Sequence, residues 1–244
     1  MAEPSTPQSV NADGFDVIII GAGIAGLYQL HQIRQLGLRV HAFEAGSGVG
    51  GTWYWNRYPG ARFDSESFSY GYSFSNEILD EWEWTEHFSP QPETLKYLEF
   101  VADKLDLKRD ITFNTRIVSA TYNPTRNRWS VKTEHGQSVE VHYLITAVGV
   151  LSASYIPEIP GADSFEGRSW HTSHWPKEPV DLSDQRVGVI GTGATAVQLI
   201  TEISKNIGQL SVFQRTANYC VPLDNRPVTP GEQADMKARY QEIF

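Results

Sequence analysis

The sequence predicts an α/β fold built on two βαβ units, and three observations carry that expectation. Gly21-Ala22-Gly23-Ile24-Ala25-Gly26 follows the apolar run Val17-Ile18-Ile19-Ile20, and Gly191-Thr192-Gly193-Ala194-Thr195-Ala196 follows Val187-Gly188-Val189-Ile190. Each turn leads into a helical pattern and a further strand. The two units then close on opposite charges: Glu44, eighteen residues after Gly26, and Arg215, nineteen after Ala196. In such units the first glycine permits a tight turn, the second lets backbone approach a pyrophosphate, and the third lets helix and strand pack closely. The helix N-terminus then faces the phosphates. A carboxylate at the closing position accepts from a free ribose 2′-hydroxyl, whereas an arginine pairs with a 2′-phosphate. The chain is therefore expected to hold two dinucleotides of different kinds, the second of them NADP.

The elements follow in order. Phe15 to Ile20 is short, continuous and β-branched, as a buried parallel strand is. Ile24, Leu27, Leu30 and Ile33 recur at steps of three on one helical face, and Gly37 ends that helix. Arg39 to Glu44 is the next strand. Gly46 to Asp64 reads as a long irregular loop whose Gly50-Gly51 leaves room for a close approach. Its Trp53, Trp55 and Tyr58 are either loop packing or a wall for a flat ring system. Pro92 to Leu105 is a helix, then Ile111–Phe113 and Arg116–Tyr122 are strands with a turn at Asn123-Pro124. Trp129, Val131 and Thr133 alternate, His135-Gly136 turns the chain, and Val139, Val141 and Tyr143 alternate on the way back. Leu144 to Gly149 returns to a buried strand. A β-meander between two parallel strands recurs in FAD domains of the glutathione-reductase type. Pro157, Pro160 and Gly161 mark a linker, so the domain boundary is expected near 150. The second unit runs from Arg186 to Arg215, its helix carrying Val197, Ile200, Ile203 and Ile207. The expected organisation is a flexible tail (1–14), the first segment of an FAD-binding domain (15–150), a linker (151–184) and an incomplete NADP-binding domain (185–244).

Composition excludes several classes. With 40% hydrophobic residues the chain is globular rather than disordered. A net charge of −9 argues against nucleic acid or an anionic membrane as partner, because both need a basic face. No apolar run approaches the roughly 18 residues of a membrane span, and the first fourteen residues lack the apolar centre of a signal peptide. With the single cysteine Cys220 no intrachain disulfide can form, which suits a cytoplasmic protein. A buried or neutral thiol is the expectation for Cys220. The absence of a C-x-x-C pair beside the first turn excludes a disulfide reductase.

Between the two units, Phe165-Glu166-Gly167-Arg168-Ser169-Trp170-His171-Thr172-Ser173-His174-Trp175-Pro176 matches F-x-G-x-x-x-H-x-x-x-W-P. In this it resembles the Baeyer–Villiger monooxygenases. So do Gly50 to Arg62 with Asp64 and Glu66-Ser67, and Phe213-Gln214-Arg215-Thr216. The resemblance covers about residues 15 to 243. It implies that NADPH reduces FAD, that O2 then gives a C4a-peroxyflavin, and that a small-molecule ketone is converted to an ester or lactone. On the matching positions Gly21, Gly23, Gly26, Glu44, Gly51, Thr52, Trp53, Asp64 and Tyr70 would contact FAD. Gly191, Gly193, Thr195, Arg215 and Thr216 would contact NADPH. Asp64 is a partner for an active-site arginine or else a loop cap. His171 is a proton-transfer group or, the better reading, a linker histidine with one structural hydrogen bond that ties the linker to cofactor position. No metal ligands are indicated.

Two departures stand out. The third glycine of the second turn is Ala196, which loosens helix–strand packing slightly. The chain also stops inside a helix that starts at Pro230, whereas proteins of this type continue and supply a catalytic arginine. The alternatives are an N- or S-oxygenating flavin monooxygenase, or an inactive fragment that binds nucleotide or a partner chain. Uncovered apolar faces at Val187–Val189 and Leu210–Val212 would then favour association.

Overall fold

The computed structural model describes residues 14–243; the expected tail lies, but for Gly14, outside the described residues. Along the chain run β1 (Val17–Ile20), α1 (Ile24–Gln35), β2 (Val40–Phe43), α2 (Thr52–Trp55), α3 (Ser67–Tyr70), α4 (Asn76–Glu81) and α5 (Gln91–Lys104). Then come β3 (Ile111–Thr112), β4 (Ile117–Asn123), β5 (Arg128–Thr133), β6 (Ser138–Val141), β7 (Tyr143–Thr146), β8 (Arg186–Ile190), α6 (Ala194–Ile203), β9 (Gln209–Phe213), α7 (Pro230–Ala238) and α8 (Tyr240–Ile243). The chain divides into two compact units. One comprises the residues up to Tyr54 together with Leu98–Ala153; the other comprises Trp55–Tyr97 together with the residues from Ser154 onward.

In the first unit a parallel sheet has the order β3-β2-β1-β7. β1 is buried because both of its faces are covered. On one side lies α1 with Leu27 and Leu30, and Gly37 ends the helix at φ +73°. On the meander side, Val131, Val139 and Val141 pack with Ile18 and Phe43. The antiparallel β4-β5-β6 sheet thus places its alternating apolar face on the parallel sheet. One expectation fails here. Tyr143 does not continue the β6 alternation: β6 ends at Val141, and Tyr143 opens β7, paired with Val17 and largely exposed. Strand periodicity cannot register a change of partner when both stretches are extended.

His41 of β2 is buried, stacked on Phe15 and with its Nε2 2.7 Å from Thr112 Oγ1. Burial pushes its imidazole down from 6.5 to about 4. A folded value below the unfolded one means stability that is present above pH 6.5 and lost as pH falls toward 4. Unfolding free energy should therefore fall by about 2 kcal/mol between pH 7 and pH 5 from this group. Denaturant titrations at the two pH values check this. His41→Gln should flatten the difference, and an unchanged slope would discount the group.

In the second unit, β8 and β9 pair in parallel, with Ile190 opposite Phe213. α6 covers one face through Leu199 and Ile203, which pack with Val189, Tyr58 and Ala61. Of the faces expected to be uncovered, Val189 is buried, whereas Val212 is exposed together with Ile190 and Phe213. Ile207 is not on the helix, which ends at Ile203; it packs against the same cluster from the following turn. A second layer is aromatic: Tyr72, Trp82 and Trp84 gather around Tyr97, whose hydroxyl accepts from the Tyr72 amide at 2.6 Å. α7 opens on a capping box in which Thr229 and Glu232 each satisfy the other's backbone N–H. Arg226 and Thr229 hold the Glu232 carboxyl well below the usual carboxylate range. Cys220 is exposed, so of the two expected alternatives the buried thiol is ruled out. Among the described residues no helix is long and apolar enough to cross a membrane, and no cluster of metal-binding side chains occurs.

Candidate functional site

The first glycine turn is built backbone against backbone. Gly21 has φ +102°, and a Cβ there would lie 2.5 Å from the Ala147 carbonyl oxygen. At Gly26 a Cβ would lie 2.0 Å from the Gly21 carbonyl oxygen, which is the close packing expected of the third glycine. Gly23 caps α1, and its Cβ would meet Gly51 Cα at 3.2 Å; Gly51 itself has φ +53°. The Gly50-Gly51 stretch therefore leans on the turn, with the Gly50 amide donating to the Ala22 carbonyl at 3.0 Å. Glu44 is buried and is engaged from inside. One carboxylate oxygen accepts from the Ala22 amide at 2.8 Å, the other from the Gly46 amide at 2.7 Å. A carboxylate has about four lone-pair sites, so two remain for further donors.

The loop after the turn is not wholly irregular. Thr52 to Trp55 form one helical turn in which Trp53 and Tyr54 are buried and Trp55 is exposed. The Tyr54 hydroxyl lies 2.7 Å from Ser47 Oγ, and its ring fills the space beside Gly46 and Gly48. Tyr58 belongs to the core of the second unit, which favours the loop-packing reading for it. Tyr70 stacks on Phe63 at 4.3 Å and 8°. Asp64, next along, is exposed and makes no hydrogen bond or ion pair among the described residues.

The second turn has the same register but a different closure. Gly21 N donates to Phe43 O at 2.8 Å, and Gly191 N donates to Phe213 O at 2.9 Å. The residue equivalent to Glu44 is therefore Gln214, and Arg215 stands one place further on. Gln214 Nε2 donates to Thr192 Oγ1 at 3.1 Å, tying the strand end back to the turn as Glu44 does through Ala22. Thr192 also bonds the Thr216 carbonyl at 3.4 Å and Asn218 Nδ2 at 2.9 Å. Arg215 is left exposed, with no ion pair among the described residues. Gly191 has φ +103°, and a Cβ on Gly191 or on the α6 cap Gly193 would meet nothing within 4 Å. Thr195 is bonded to the Tyr58 hydroxyl, whose acidity is lowered chiefly by burial.

In the linker, His171 caps a short 3-10 turn. Its Nδ1 accepts from the Ser173 amide at 3.3 Å and lies 2.7 Å from Ser173 Oγ. That geometry leaves the proton of the neutral ring on Nε2. Trp175 packs against the Tyr58–Val189–Leu199 cluster, and Arg168 lies over the Trp170 ring at 5.2 Å.

The structure thus gathers Gly21, Gly23, Gly26, Glu44 and Gly51 in one unit, and Gly191, Gly193, Thr195, Arg215 and Thr216 in the other. Sequence reasoning missed Thr192, Gln214 and Gln198. Register would have found Gln214, since it directly follows the paired strand; nothing in the pattern of α6 marks Gln198.

Residues 15–238 match the family model described as flavin-binding monooxygenase-like. A Baeyer–Villiger monooxygenase of Pseudooceanicola batsensis is 47% identical over 97% of this chain and 43% of its own length. The phenazine N-monooxygenase of Lysobacter antibioticus is 48% identical over 94% of this chain and 42% of its own. The crystal structure of OTEMO in complex with FAD and NADP superimposes with a TM-score of 0.90 at 46% identity, covering 94% of this chain and 44% of that one. The chain therefore spans well under half the length of these relatives.

Proposed function

The chain belongs to the flavin-binding monooxygenase-like family, and on that premise we propose that it is the N-terminal part of a Baeyer–Villiger monooxygenase dependent on FAD and NADPH. The whole protein would insert one oxygen of O2 beside the carbonyl of a small-molecule ketone to give an ester or lactone. The carrying observation is the pair of unlike turns: a buried Glu44 bonded into the first, and beside the second an exposed Arg215 with no ion pair among the described residues. Residues 15–150 would form the first segment of an FAD domain of the glutathione-reductase type, 151–184 the linker and 185–244 part of an NADP domain. A net charge of −9 supports a partner set without nucleic acid, and the single cysteine suits a cytoplasmic setting.

The residues fit both cofactors. At the first turn the free lone pairs of Glu44 would accept from the FAD ribose, and the α1 N-terminus would face the pyrophosphate. Gly51, Thr52, Trp53, Asp64 and Tyr70 would approach the rest of FAD. At the second turn, the open space at Gly193 suits a pyrophosphate against the α6 N-terminus, with Thr195 on that first turn. Arg215 and Thr216 would take the 2′-phosphate end. Bound FAD supplies the electron and oxygen chemistry, so the protein's part is to bind, orient and stabilise charge. The unpaired Asp64 carboxylate would hold an arginine supplied by the rest of the protein. His171, with Nδ1 occupied by Ser173, would set the linker geometry rather than move a proton.

The relative that oxidises a phenazine nitrogen, at 48% identity, favours N-oxygenation as the second reading. Full-length protein supplied with NADPH, O2 and either cyclohexanone or phenazine separates the two. Lactone formation coupled to NADPH oxidation is expected, with turnover on the order of 1 s⁻¹ or above. N-oxide without lactone would replace the first reading by the second. The 244-residue chain alone is expected to form no lactone, since it spans less than half the length of its relatives.

A further inference from the structure

Gln198 lies in α6, whose cap is Gly193 of the second turn, and its carboxamide faces the Tyr58–Arg62 loop. Its Oε1 accepts from the Tyr58 hydroxyl at 2.8 Å and from the Arg62 amide at 3.3 Å; its Nε2 donates to the Arg62 carbonyl at 2.8 Å. One side chain thus pairs with both main-chain polar groups of one residue, as a neighbouring strand would. Among side chains in their ordinary ionisation state at neutral pH, only a carboxamide presents a donor and an acceptor side by side in one plane. The flipped amide would set N–H against N–H at Arg62, so a single orientation is allowed.

The loop is shaped to receive this contact. Gly60 has φ +82°, and a Cβ there would lie 2.5 Å from the Gln198 carbonyl oxygen and 3.1 Å from Glu202 Cβ. Tyr58 and Ala61 bury against Val189, Leu199 and Ile203. Beyond Gln198, Arg62 Nη1 donates to Glu86 Oε2 and to the Phe88 carbonyl, each at 3.1 Å, and Phe63 stacks on Tyr70. The chain is held at every residue from Ala61 to Phe63. Asp64 is the first one free.

We propose that Gln198 is a positioning residue: it clamps the main chain of the Tyr58–Arg62 loop to the helix opened by the second glycine turn, so that Asp64 is placed by that helix and responds to nucleotide bound at its N-terminus. The ligand response rests on the reading of the second turn as the NADPH site; the clamp itself does not.

Hydrogen exchange of the Arg62 amide in the 244-residue chain tests both halves. Without ligand, Gln198→Leu should speed exchange at Arg62 about tenfold, the scale of one lost hydrogen bond, while amides within α6 keep their rates. Gln198→Glu keeps the acceptor and loses the donor, so it should fall between. Gly60→Ala, which forces the loop off from the other side, should reproduce the effect if Gln198→Leu does not fold. Adding NADP+ should slow exchange across 58–64 in the wild type and leave Gln198→Leu unaffected, with NADP+ affinity moved less than about threefold. Equal Arg62 exchange in wild type and variants overturns the clamp. NADP+ binding without a loop response in the wild type overturns the link to Asp64. If the wild type does not bind NADP+, the reading of the second turn and the ligand response both fall, and the ligand-free comparison decides the clamp alone.

Discussion

Gly26→Ala is expected to abolish FAD binding and to destabilise the protein by about 3 kcal/mol, the upper range of overpacking. The new Cβ would lie 2.0 Å from the Gly21 carbonyl oxygen and 2.9 Å from its carbon, and both are main-chain atoms of the turn itself. Neither can yield without opening the Gly21–Gly23 backbone that caps α1. Alanine gains about 1 kcal/mol over glycine in a helix interior, so the clash must exceed that gain to show. The second turn provides the control. Ala196 already occupies the matching place and packs against the Tyr58–Val189–Leu199 cluster. Ala196→Gly should lower stability by only about 1 kcal/mol through helix propensity. Urea titrations and FAD fluorescence titrations of both variants check the pair. A Gly26→Ala protein with unaltered midpoint and full flavin affinity would show that the first turn is neither tight nor the FAD site.

Arg215→Ala is expected to weaken NADP+ binding ten- to a hundredfold and to leave NAD+ binding nearly unchanged. A charge-assisted hydrogen bond to a 2′-phosphate contributes about 1.5–3 kcal/mol, and NAD+ offers no such group. Arg215 is exposed and makes no ion pair among the described residues, so none of them must give up a contact to make this one. Because the site is open to solvent, the difference should shrink as salt is raised. Gln214→Ala, in contrast, loosens the tie to Thr192 and should weaken both nucleotides alike. Calorimetric titration with the two nucleotides reads all four cases. Equal losses of NADP+ and NAD+ affinity in Arg215→Ala would remove Arg215 from the 2′-phosphate site.

Much of the fold was legible because its signals are local. Apolar runs of four residues ended by Gly21 and Gly191 give β1 and β8, and the alternation of Val131, Val139 and Val141 gives the meander its buried face. The glycines of the first turn were legible for the same reason, as each answers to a φ or a close approach within its own turn. What escaped depends on partners distant in sequence. Counting residues equated Arg215 with Glu44, and only the pairing of Phe43 and Phe213 with the glycine amides shows that Gln214 holds that place. For Tyr58 the sequence left loop packing and a ring wall open; its packing neighbours from β8 and α6 lie more than a hundred residues away.

By itself the sequence determined that this chain carries two βαβ units, where each turn lies, and that an acid follows the first unit's second strand while a base stands near the end of the second. Backbone sterics and strand burial impose those features wherever the residues occur in that order. The tertiary structure alone decided which closing residues bond back to their turns and which is left free. It also decided that Trp55–Tyr97 belongs with the second unit, although it follows the first turn in sequence. The reason is physical: Gln198 satisfies the Arg62 backbone, and Tyr58 and Ala61 bury against α6 and β8. Buried polar groups and apolar surface must find partners, but which partners they find depends on three-dimensional placement, for which residue order carries no local mark.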